Sequence, residues 1–278
     1  MLTDSFRTYL EDFGKAHNTI LSYVRSVMAY SVWYKESLGA EVEKLYRANV
    51  LDYVSYLRTV KQLSNRSVNS KLAALLCFNE FLVSTGVQTD IVLGKRDYLK
   101  VQQQFANPST VSKQEVEEFR QKILVMRGKR DYAIVTLLAY AGLRISEALD
   151  LRPEDVNLTA REVVIRAGKG DKQRVVFLND KIVNAVQEYL RERKSECPYL
   201  FVSRNGGRLD RSAINREFND YSDNITPHTL RHYYCSAAIE AGYSIAEVAN
   251  QAGHSNVHTS LIYTNPTREK MKEKANRL

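Results

Sequence analysis

The sequence predicts a mainly α-helical protein with one small β-hairpin, an α+β chain in two domains. Three observations carry this. None of the first 107 residues is proline, and all five prolines stand at or beyond Pro108. Ahead of that point, apolar residues recur at helical spacing in four runs. Beyond it, helical runs continue except at two short valine-rich stretches flanking Gly168-Lys169-Gly170-Asp171-Lys172, a hairpin signal.

Phe6, Leu10 and Phe13 mark the first helix, with Asp4 as its candidate cap. Asn18 opens a longer helix whose apolar side carries Tyr23, Val27, Tyr30 and Trp33. A third helix runs near residues 50–60. The fourth follows the polar string Ser64-Asn65-Arg66-Ser67 and turns Val68, Leu72, Leu75 and Phe81 inward. Residues 1–100 are therefore expected to form a four-helix bundle. From residue 95 to 112 the periodicity fails, and Gln102-Gln103-Gln104 and Asn107-Pro108-Ser109 read as a connection, placed at residues 101–110. The second domain spans residues 111–278. It opens on Val111-Ser112-Lys113-Gln114-Glu115, a helix start, and residues 130–150 follow as an apolar helix interrupted at Gly142. The hairpin comes next, from Val163-Val164-Ile165 to Val175-Val176-Phe177-Leu178. From Lys181 onward the chain reads as mostly helical.

The balance of 40 basic to 32 acidic residues leaves a net charge of +8 and a pI near 9.2, which suits a polyanionic partner. Three scattered cysteines, Cys77, Cys197 and Cys235, fit neither a disulfide framework nor a thiolate metal site. The first residues lack the basic-then-apolar order of a signal peptide, and the best apolar run, residues 133–141, is too short to span a membrane. A cytoplasmic protein without a membrane partner is expected.

Four strings bear residues suited to chemistry: Gly142-Leu143-Arg144-Ile145-Ser146-Glu147, Gly168-Lys169-Gly170, His228-Thr229-Leu230-Arg231-His232, and Gly253-His254 followed by Tyr263. Taken singly, each has a plain explanation. Arg144 could pair with Glu147 on a helix surface, Lys169 could be a solvated hairpin-tip lysine, His228 could cap a helix, and Tyr263 could be one core residue among 17 tyrosines. Together they hold everything phosphoryl transfer needs. Arg144 and Arg231 offer permanently charged forks for phosphate oxygens. His228 and His254 can donate hydrogen bonds or exchange protons. Lys169 can protonate a departing alkoxide. Tyr263 can form a phosphodiester that conserves bond energy, so rejoining needs no cofactor.

The ordered set Arg144, Lys169, His228-x-x-Arg231, His254 and Tyr263, with the last two nine positions apart, resembles the signature of the tyrosine site-specific recombinases. The strings GLRISEAL, GKGDKQRVVFL, HTLRHYY and AGHSNVHTSLIYT are similar to those of phage integrases and Xer-like dimer resolvases. Ala252 before Gly-His and Phe177-Leu178 after the hairpin depart from the commoner leucine and proline-leucine. Neither departure removes a reacting group. The resemblance covers residues 111–266, and more loosely the N-terminal bundle, which is similar to the family's SAM-like core-binding domain. It implies that Tyr263 attacks the scissile phosphate and leaves a 3′-phosphotyrosine. Arg144, Arg231 and His254 would hold the phosphate, His228 the tyrosine proton, and Lys169 the leaving oxygen, with Glu147 orienting the cations. Arg66 and Lys71 on the fourth helix, and Lys172 and Arg174 by the hairpin, are the candidate DNA contacts. The implied partner is double-stranded DNA with an inverted-repeat core site. A homotetramer would work on two paired sites through a Holliday junction, with no metal and no cofactor. A transposon-encoded resolvase is one such enzyme.

Two other readings use fewer of these strings. Residues 244–255 resemble a helix-turn-helix, which would make the chain a DNA-binding repressor without catalysis. His228 with His232, and His254 with His258, stand four apart and could share zinc, although no acidic residue occupies the zincin glutamate position. A type IB topoisomerase would use nearly the same chemistry, but the separate bundle favours a recombinase.

Overall fold

Helix-forming runs without internal proline, each with apolar residues three and four apart, fold the N-terminal unit. The computed structural model describes residues 2–101, 111–166 and 173–253. Its contacts divide the chain into residues 1–103 and residues 104–278. In the first unit, α1 (Leu2–Asp12), α2 (His17–Leu38), α3 (Arg47–Thr59) and α4 (Asn65–Ser84) surround one aromatic core. Phe6 meets Phe78 edge-on at 5.1 Å, and Tyr30 meets Tyr53 in the same way at 5.2 Å. Ser64 caps α4 by accepting from the Ser67 amide. Val68, Leu72, Leu75 and Phe81 all point inward, as their spacing requires.

Three local expectations are corrected. Asp4 lies inside the first turn of α1 rather than at its cap, and Phe13 is exposed, resting on Tyr9 just past the end of the helix. Asn18 does not open α2, which starts at His17 after Ala16 without a side-chain cap. The stretch beginning at residue 95 is no free connection at first. Asn69 on α4 pairs with both the N–H and the C=O of Leu99, each at 2.8 Å, and Asn65 donates to the Lys100 carbonyl at 2.9 Å. Arg47 adds an ion pair to Asp97. Two asparagines thus do for this segment what a neighbouring strand would do, and residues 95–100 belong to the first unit.

The second unit is built around α6 (Lys129–Ala141), which follows α5 (Lys113–Arg127). Ala133, Ile134, Val135, Leu137, Leu138 and Ala139 are all buried, so α6 is apolar on every side, as a central helix must be. Ser112 and Glu115 form the capping box that starts α5. After α7 (Ile145–Asp150), three antiparallel strands follow: β1 (Val156–Asn157), β2 (Glu162–Ile165) and β3 (Arg174–Phe177). The hairpin forms as expected, with Ile165 opposite Arg174, while the two-residue β1 is too short to leave a periodic signal. Next come α8 (Asp180–Glu192), α9 (Arg211–Tyr221), α10 (Pro227–Glu240) and α11 (Ile245–Ala252). Helix α6 packs against α5, α8 and α10, and α11 lies against α10 and β3. No described helix is long and apolar enough to cross a membrane.

Candidate active site

The site begins where α6 stops. Gly142 takes a left-handed conformation (φ 63°) that ends the helix and turns the chain toward Arg144. The ring of Tyr234, on α10, packs so closely that a Cβ on Gly142 would stand 2.7 Å from its Cε1. Only glycine satisfies both demands. Arg144 then occupies the N-cap of α7, and Glu147 at the third position reaches back to accept the Arg144 amide at 2.8 Å.

Glu147 is the hub. One carboxylate oxygen accepts from the Arg144 guanidinium at 2.8 Å and from Arg174 at 3.0 Å. The other accepts the Arg144 amide at 2.8 Å and a second Arg174 nitrogen at 2.8 Å. Four hydrogen bonds fill all the lone-pair positions of one carboxylate. Burial alone would raise the Glu147 pKa, but the bonds from Arg174 and Arg144 outweigh it and hold the group below its ordinary value. It is ionised at neutral pH.

Both arginines also reach the end of α11. Arg144 donates to the Gly253 carbonyl at 2.6 Å, and Arg174 donates to the Gln251 carbonyl at 3.1 Å. These are C-terminal carbonyls of a helix, where the macrodipole favours cations. Gln251 returns a contact, accepting the Phe177 amide from β3 at 3.3 Å. Arg231, buried on α10, donates to the Gly142 carbonyl at 2.7 Å. Burial, followed by the charge of Arg144, lowers its pKa to about 10. It stays protonated at neutral pH, and the two guanidiniums are close enough to feel one another.

Thr226 caps α10, so Pro227 takes the first helical position, and His228 sits one residue further on and is not the cap. One turn on, His232 faces it, with the two Nε2 atoms 2.7 Å apart. This contact is a hydrogen bond between the two rings, and His254 and His258, the other two histidines of the zinc reading, lie outside the described residues. Burial lowers the pKa of both rings, and His232 falls to about 4.

The structure therefore brings together Arg144, Glu147, Arg231 and His228. Lys169, Lys172, His254 and Tyr263 lie outside the described residues. Arg174, a candidate DNA contact, has a side chain only 9% exposed, its nitrogens bonded to Glu147 and the α11 carbonyls. Arg66 on α4 is exposed and Lys71 is half-buried. Five residues apart, they stand about 140° apart around the helix, so they cannot both centre one groove-facing stripe. His232, paired with His228 only in the zinc reading of the sequence, is in contact with a candidate catalytic group. Its signal was the four-residue spacing from His228.

The phage integrase family model matches residues 110–270, and the N-terminal SAM-like domain model of phage integrases matches residues 2–89. The chain belongs to the phage integrase family, the tyrosine site-specific recombinases, which cut and rejoin DNA. It is 48% identical to the TnP I resolvase of Bacillus thuringiensis over 97% of this chain and 96% of that protein. It is 33% identical to tyrosine recombinase XerA of Thermococcus kodakarensis, over 97% and 92% respectively. Among solved structures, the Tn1549 transposon integrase in complex with transposon right end DNA shares the fold at a TM-score of 0.77, with 18% identity over 99% of this chain and 98% of that one. A lambda integrase tetramer bound to a Holliday junction matches at 0.71, with 14% identity over 92% and 76%. Nothing in these matches favours a repressor.

Proposed function

We propose that this chain recombines double-stranded DNA at an inverted-repeat core site, working as a homotetramer on two paired sites and resolving or integrating a mobile element. The observation that carries the reading is the convergence of Arg144 and Arg231, braced by Glu147 and Gly142, in a chain of this family. Two permanent cations that feel each other's charge need an anion between them, and a phosphodiester fits.

In this reading the Tyr263 oxygen attacks the scissile phosphorus while His228 takes its proton. Arg144, Arg231 and His254 hold the non-bridging oxygens. The P–O5′ bond breaks, and Lys169 protonates the leaving 5′ oxygen. A 3′-phosphotyrosine and a free 5′-hydroxyl result, and attack by a partner strand's 5′-hydroxyl reverses each step and releases Tyr263. No bond energy is lost, so neither a nucleotide nor a metal is called for. Two rounds of exchange pass through a Holliday junction. Similarity to a resolvase and to Xer recombinases supports the resolving role, and catalysis on cellular DNA puts the enzyme in the cytoplasm.

Footprinting on DNA flanking its own gene will supply the site. A nicked duplex carrying that site should trap a covalent protein–DNA product with the wild type and none with Tyr263→Phe, which keeps the ring and should still bind. A covalent product from Tyr263→Phe would remove Tyr263 as the nucleophile. None from the wild type would remove the recombinase reading itself.

A further inference from the structure

A charged strand residue beside a catalytic hairpin is most simply read as a phosphate contact, and Arg174 invites that reading. The geometry opposes it. A guanidinium has five N–H donors, and four of those of Arg174 go to both oxygens of Glu147 and to the carbonyls of Gln251 and Ala252. The pair is buried on both sides, with Arg174 9% and Glu147 5% exposed. Strand alternation agrees, since Arg174 shares a face with the fully buried Val176 while Val175 and Phe177 face out.

We infer that Arg174 is a positioning residue for recombination, one that locks Glu147 and the C-terminal end of α11 around the Arg144 guanidinium and makes no contact with DNA. The inference rests on the recombinase reading above. Glu147 has three cationic neighbours: Arg144 from its own turn, Arg174 from β3 and, more remotely, Arg231 from α10. Of these only Arg174 ties three elements together, because it bonds α7 and α11 from β3. Arg144 meets the same two partners, Glu147 and the end of α11, through Gly253. Close packing reinforces the lock, since a Cβ on Gly253 would stand 2.6 Å from the Arg174 guanidinium carbon. Freed of Arg174, the carboxylate would follow Arg144 alone, and the fork that should face phosphate would lose its second anchor.

The test compares Arg174→Met, which keeps the stem and removes the guanidinium, with Arg174→Lys, which keeps a charge that cannot bridge two oxygens and two carbonyls. The probe is a duplex carrying the footprinted site, intact for binding and nicked for cleavage. Both variants should bind with wild-type affinity and an unchanged slope of affinity against salt. Single-turnover cleavage at saturating DNA should fall about 100-fold in Arg174→Met, the scale expected when a reacting group is misplaced by about 1 Å. Arg174→Lys should fall between it and the wild type. Loss of a cation also raises the Glu147 pKa, so cleavage should fail at a higher pH on the acid side than in the wild type. Adding Glu147→Gln should abolish that difference. A salt slope reduced by about one phosphate contact with normal cleavage at saturation would make Arg174 a DNA contact and overturn the inference. Slow cleavage with an unmoved acid limb would reduce it to a packing residue. Should Arg174→Met not fold, Arg174→Lys decides alone by the same two readouts. A wild type that forms no covalent product counts against the recombinase reading and not against this one.

Discussion

Adding one methyl group at Gly142 should damage both stability and catalysis, and the two losses can be worked out separately. An L-residue held in the left-handed region costs about 1 kcal/mol. The new Cβ would also stand 2.7 Å from Cε1 and 2.8 Å from Cγ of Tyr234, and nearer still to Cδ1. Ordinary carbon–carbon contact is about 3.5–4.0 Å, so the ring must shift by roughly 1 Å within a packed helix interface, an overpacking cost of about 1–3 kcal/mol. The total is about 2–4 kcal/mol for Gly142→Ala. The single tryptophan, Trp33, lies in the N-terminal unit, so fluorescence would follow the wrong unit. Calorimetry of the whole chain is the suitable assay. Tyr234→Ala provides the control, since with every ring atom and Cγ gone the same glycine change should cost only its conformational share of about 1 kcal/mol. Because Arg231 donates to the Gly142 carbonyl, Gly142→Ala should also cleave slowly at temperatures where it is fully folded. A loss under about 0.5 kcal/mol with normal cleavage would refute the account of why glycine stands there.

Further outcomes follow from the same geometry. His232 titrates near 4 in the folded protein against an ordinary 6.5, so the unfolded chain takes up a proton first. Stability should therefore be complete above pH 6.5 and decline as the pH falls toward 4; His232→Phe should flatten that decline in acid-unfolding curves, and an unchanged decline would mean another group causes it. Lys169→Ala should be very slow on normal DNA and largely rescued by a 5′-bridging sulfur, which leaves without protonation. Arg144→Ala should gain much less from the sulfur, and equal rescue of both would strip Lys169 of the acid role and pass it to Lys172.

Much of this molecule is legible in its sequence, for physical reasons that also mark the limits. Spacing of three and four revealed α4 because Val68, Leu72, Leu75 and Phe81 meet one core. Phe13 misled because the helix ends before it, and periodicity carries no information about where a helix stops. Residues 95–100 looked like a tether because their order comes from Asn65 and Asn69, whose amides leave no apolar pattern. At the site, the Arg144–Glu147 pair followed from helical spacing. The place of Arg174 beside the hairpin makes it a candidate DNA contact and says nothing of which way it faces. A strict period of two would have placed it with Val176, facing inward. No sequence pattern foretold the bonds from Arg174 and Arg144 to the α11 carbonyls, which join residues 77 and 109 positions apart.

The crowding of like charge around Glu147 has a consequence for the timing of binding energy. Among the described residues the cluster sets three guanidiniums against one carboxylate, and Arg231, its pKa lowered first by burial and next by the charge of Arg144, holds part of that excess before any DNA arrives. A resting phosphodiester brings one negative charge, whereas the five-coordinate phosphorus of an in-line displacement carries two. The free enzyme is in that sense preloaded for a species its substrate only briefly becomes, and relief of the mutual repulsion is greatest at that moment. A pentavalent vanadate bridging Tyr263 and a cleaved 5′ end should accordingly stabilise the catalytic unit against heat more than the intact duplex does.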